Sequence, residues 1–195
     1  MNPRTGVYLL ITIVCLGGSA CLRRPATTPT RMVEPQLIEP QLSSPPKEVT
    51  KDANATSIRL LDTQARGQIG RRLLHQQANG ELTQDPVWLW SSAPDRYLDT
   101  ALRLELSTRP DMRLVESASA SELAATLLEW NLDSAGGTRL VGAVEFQITD
   151  NKRVVHTLVV RASEPVSSEL PGNLAAAAGR LFHRLASEGL TGVAR

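Results

Sequence analysis

The chain has 195 residues, 42% hydrophobic and 21% charged, enough for one domain with a genuine core. Its 21 basic and 20 acidic residues leave a formal net charge of +1, so it lacks the electrostatic footprint of a nucleic-acid binder.

The first 20 residues have the layout of a signal peptide: Arg4 in a short leader, an apolar run over 6–16, then Gly17-Gly18-Ser19-Ala20-Cys21. The run is about half of the roughly 20 apolar residues that span a bilayer. It is therefore expected to be cleaved. Small residues directly before a Cys resemble the bacterial lipobox, with Gly18 where that pattern usually has Leu. The alternative is ordinary cleavage after Ala20, which leaves Cys21 a free thiol. Lipidation at Cys21 accounts for the odd cysteine, because Cys15 leaves with the signal and Cys21 then has no disulfide partner. Position 22 is Leu rather than Asp, which by resemblance to enterobacterial sorting rules favours the outer membrane, facing the periplasm, over the inner membrane.

Residues 21–56 are rich in Pro, Thr and Ser and show no apolar period, so they are expected to form a disordered tether. Residues 57–195 then form the periplasmic domain. Its first strand is expected over Ser57–Leu61. The apolar stretch 69–74 leads through Asn79-Gly80 into a hairpin whose return arm covers 81–90, with Pro86 favouring an edge position. Ser92 is expected to cap a helix with Pro94 in its first turn and Tyr97, Leu98, Ala101, Leu102 and Leu106 on one face.

A strand is expected over 112–116, followed by a long strand over 122–133 that changes faces through a bulge. Leu140, Gly142, Val144, Phe146 and Ile148 alternate as a strand, and 154–161 returns beside it to complete a meander. Asn173 is expected to cap a last helix with Leu174, Ala177, Ala178, Leu181 and Leu185 inward, ending near Gly189. The fold class is therefore α+β: an antiparallel or mixed sheet with two helices packed on one face. Both faces of the 154–161 strand are apolar, which leaves open either a partner subunit on the second face or a bent, partly closed sheet.

No catalytic constellation is legible. His75, His156 and His183 are far apart in sequence and lack metal-ligand spacing, and Glu122, Glu129 and Glu145 show no acid–base spacing. There is no nucleophile elbow and no phosphate-binding loop. Hence no enzyme activity, cofactor or metal is expected.

The segment Trp90-Ser91-Ser92-Ala93-Pro94-Asp95-Arg96-Tyr97-Leu98 through Leu106 resembles the auxiliary lipoproteins of ABC-type transport systems, the paraquat-inducible protein C-like family. There a Trp ends a strand, a Pro opens the next helix and leucines stud it. Here these are Trp90, Pro94, Leu98 and Leu102, all read as structural. The hairpin before Trp90 and the order of elements after it fit over residues 57–190. One departure is the tether, since the family commonly starts its first strand soon after the lipidated Cys. The resemblance implies a non-catalytic subunit of an ABC or MCE-type lipid transport system, working beside an MCE substrate-binding protein, a permease and an ATPase. It also implies a possible homo-oligomeric ring. A lipoprotein of another outer-membrane assembly or secretion machine is the alternative.

Overall fold

The computed structural model describes residues 29–37, 52, 54–135, 137–168 and 171–194. The signal peptide and Cys21 lie outside the described residues. In chain order the elements are β1 (Arg31–Val33), β2 (Thr56–Leu60), β3 (Gln64–Ala65), β4 (Arg72–Gln76), β5 (Leu82–Trp90), α1 (Pro94–Thr108), β6 (Met112–Leu114), β7 (Ser121–Asp133), β8 (Arg139–Asp150), β9 (Arg153–Pro165) and α2 (Pro171–Val193). The fold is α+β, with one mixed sheet and both helices on one face.

β7 is the spine of the sheet. Along one side it pairs antiparallel with β8, which pairs antiparallel with β9. Along its other side it receives β2, β3 and β4 in turn, all parallel. β2 carries β6, β4 carries β5, and β5 carries β1. The bulge expected in β7 is present, with a register shift between Leu127 and Glu129, but the strand does not change faces. Leu123, Ala125 and Leu127 are buried before the shift and Trp130 and Leu132 after it, so one extra residue keeps both halves of a 13-residue strand facing the helices.

The core lies between that face and the helices. Tyr97, Leu98, Ala101, Leu102 and Leu106 of α1 meet Leu174, Ala178, Leu181, Phe182 and Leu185 of α2 within it. Trp130 stacks on Phe182 with ring centroids 4.1 Å apart, and Trp90 tilts against Trp130 at 5.7 Å. Leu98, Leu102 and Phe182 have no exposed surface.

The sequence and the structure differ at several points. The stretch expected to be tether supplies β1: Val33 is buried, the Ser91 N–H donates to Val33 O at 2.9 Å, and the Gln36 N–H donates to Ala175 O at 3.1 Å. The folded unit thus begins well before residue 57. The approach of this arm to α2 needs the missing side chain of Gly179, where a Cβ would stand 1.7 Å from Gln36 O.

Helix α1 is capped by Ala93 and not by Ser92, and no side chain caps it. Ser92 instead donates its N–H to the Tyr97 hydroxyl at 3.1 Å, which also engages Ser91. At α2 the helix starts at Pro171, so Asn173 lies inside it and bonds Ser168 rather than capping; Pro suits a first turn better than Asn suits an interior. The helix also runs past Gly189 to Val193, because at Gly189 the backbone packs on the Phe146 ring, 2.3 Å from where a Cβ would be. Pro86 lies in the outer half of β5, since among the described residues β1 pairs only with residues 88–90 and leaves 82–87 as edge.

Candidate functional site: the helix-free face and its cavity

The residues that alternate away from the helices build a second surface. On β9 this surface is open: among the described residues the strand pairs with β8 alone, and Val154, Val155 and Val159 are 58%, 60% and 53% exposed. Ion pairs punctuate the surface, with Arg59 on Glu122 and Arg161 on Glu129 at 3.0 Å. Glu145 accepts from the Gln147 amide at 2.7 Å. Glu122, Glu129 and Glu145 thus share one face, and the first two are neutralised by arginines.

Where the loop 66–71 crosses from β3 to β4 it roofs a cavity of about 500 Å³. Ile69, Leu74, Leu82, Leu128 and Ala143 supply apolar walls. Leu74 and Ala143 are buried, yet they belong to this side of the sheet and not to the core between sheet and helices. Leu82, 43% exposed, marks the mouth. Asn131 also lines the cavity: its Nδ2 donates to Gln76 Oε1 at 2.9 Å, while its buried Oδ1 accepts nothing. Arg66 lines the cavity as an exposed side chain with no ion pair among the described residues.

One polar pair escaped the sequence reading. His75 Nε2 lies 2.8 Å from Asp85 Oδ2 across the β4–β5 hairpin. The other Asp85 oxygen accepts the N–H groups of Val87 and Trp88 at 2.7 and 2.8 Å, closing the turn that Pro86 forces on the strand. Burial pushes the Asp85 carboxyl upward, but the Trp88 and Val87 amides and His75 outweigh it and hold it below the usual carboxylate value. The register sets His75 opposite Thr83, with Asp85 the diagonal neighbour two residues along the same face, a relation that the sequence shows only once the register is known.

His156 is exposed on β9, and His183 of α2 faces Glu105 of α1 at 3.6 Å. Among the described residues no group of three His, Cys, Asp or Glu side chains is placed to hold a metal ion, and no helix is long and apolar enough to cross a membrane. Trp90, Leu98 and Leu102 belong to the core, with Trp90 only 1% exposed, and Pro94 is buried at the start of α1.

No family model matches the chain, and no curated protein matches it. Solved structures share its fold. Protein XCC0632 from Xanthomonas campestris, described with the family model DUF330, is 17% identical and superposes with a TM-score of 0.66 over 85% of this chain and 96% of its own. An uncharacterized protein, 12% identical, gives 0.61 over 85% and 97%. The hypothetical protein CT253 from Chlamydia trachomatis, 11% identical, gives 0.52 over 72% and 96%. At these identities the likeness defines the architecture alone.

Proposed function

We propose that this chain is a non-catalytic, lipid-anchored subunit of an ABC or MCE-type lipid transport system of the cell envelope, docking on the periplasmic substrate-binding component. The observation that carries the reading is the segment from Trp90 to Leu106, whose family-like Trp and leucines lie in the core while its Pro opens α1 after β5. The Cys21 context supplies the anchor, with acyl chains on that residue and the outer membrane as its site.

A docking role is supported by β9. A 13-residue edge strand with three exposed valines is a surface that monomeric proteins normally blunt or cover, and its free backbone groups and apolar side chains suit a protein partner.

The test is affinity capture of the full chain from detergent-solubilised envelopes, followed by identification of the bound proteins. An MCE protein, permease or ATPase is expected, and Val155→Lys with Val159→Lys should abolish their recovery. Capture of only an outer-membrane assembly or secretion complex would replace this reading with a subunit of that machine.

A further inference from the structure

We infer that the cavity on the helix-free face binds a single-chain anionic amphiphile, its chain against Ile69, Leu74 and Leu128 and its carboxylate or phosphate head on Arg66. The volume, about 500 Å³, falls within the range of small-molecule sites, roughly 300–1,000 Å³. Leu74 and Ala143 of its lining lie outside the helix-facing core, while Trp130 and Ile69 join the site to it.

Charge selects the head. Arg66 and Glu129 both line the cavity, but Glu129 is engaged by Arg161 at 3.0 Å, whereas Arg66 has no ion pair among the described residues. The uncompensated charge is therefore positive, and a guanidinium is suited to bidentate contact with a carboxylate or phosphate. Exposed Leu82 gives the chain an apolar threshold. The donorless Asn131 Oδ1 in the wall is the second mark of a ligand site, since buried polar groups are nearly always paired. Its lone pair calls for a donor, which a singly protonated phosphate head can supply and an ionised carboxylate cannot. Binding of this kind goes beyond the transport reading and holds whichever envelope machine the chain serves.

The experiment is native mass spectrometry of the full chain released from a neutral detergent, with dodecanoate, dodecyl phosphate or dodecanol added at equal concentration. A saturable single adduct is expected with one or both anions, exceeding that with dodecanol by about fivefold, the scale of one exposed ion pair. Preference between the two anions distinguishes a free fatty acid from a phosphate headgroup. Arg66→Glu should erase the preference over dodecanol, and Leu82→Asn should lower all three adducts. Both side chains are exposed, so neither change threatens folding. Equal occupancy by dodecanol, non-saturating uptake, or an anion adduct unmoved by Arg66→Glu overturns the inference. Envelope capture without transporter proteins, alongside an intact anion adduct, would count against the transport role alone.

Discussion

Replacing Gly179 with alanine should destabilise the protein although alanine is the better helix former. In an exposed helix interior the change stabilises by about 1 kcal/mol. At Gly179 the new Cβ would stand 1.7 Å from Gln36 O and 2.5 Å from Gln36 C, so the arm carrying β1 must leave α2. Leaving forfeits the bond from the Gln36 N–H to Ala175 O, worth about 1 kcal/mol net. It also exposes Val33, whose burial stabilises by about 1.5–3 kcal/mol. Set against the propensity gain, the expected loss is about 2 kcal/mol. Gly172→Ala on the same helix meets nothing within 4 Å and should be neutral or stabilising by a few tenths up to about 1 kcal/mol. Urea titration of both variants reads the opposite signs, and hydrogen exchange over 31–37 reads release of the arm. If Gly179→Ala gained stability as Gly172→Ala does, with the arm still protected, the docking of β1 on α2 would be refuted.

The Asp85→Ala variant should lose about 2 kcal/mol at pH 7, the scale of hydrogen bonds to a charged acceptor. Because the native state depresses this carboxyl, its stabilisation is present above the ordinary value of 3.8 and lost as the pH falls through the lower native value. Wild type and variant should therefore draw together in urea midpoint as the pH falls below 3.8, and a constant gap would contradict the arrangement. Leu98→Ala, at a site with no exposed surface, should cost about 2–5 kcal/mol and lower the melting temperature accordingly. Cys21→Ser should abolish metabolic labelling with palmitate and release the processed protein from membranes; processed protein that stays membrane-bound speaks against the anchor.

The legible parts of the fold were those where one face is buried and the period is clean. Leu140, Gly142, Val144, Phe146 and Ile148 recur at every second position because these face the helices, although Val141 and Ala143 between them are buried on the opposite face, and α1 shows its stripe because Leu98, Leu102 and Leu106 are fully covered. Even the bulge in β7 could be read, since a strand that shifts its apolar phase partway along needs one extra residue to keep the same face inward. β1 could not. A three-residue strand contributes one buried side chain, Val33, and is held by backbone bonds and by the absence of a side chain at Gly179, features that leave no periodic trace. The same holds for the cavity. Its walls come from β4, β5, β7, β8 and the loop at 66–71, so it exists only once β7 has gathered its neighbours. Arg66 and Asn131 look unremarkable until their missing partners are counted.

The small edge strand β1 also governs where the domain can go. With Cys21 acylated as proposed, Arg31 stands ten residue steps from the lipidated Cys, and at ~3.3–3.6 Å per step this leash reaches at most about 35 Å. Were the sheet to begin at Thr56, the leash would be 35 residues long and reach roughly 120 Å. Shortening the radius by that factor contracts the volume swept by the domain roughly fortyfold and concentrates it near its own membrane to the same degree. A partner standing within that hemisphere meets the domain at high local concentration, and one farther away cannot be reached while the strand stays in the sheet.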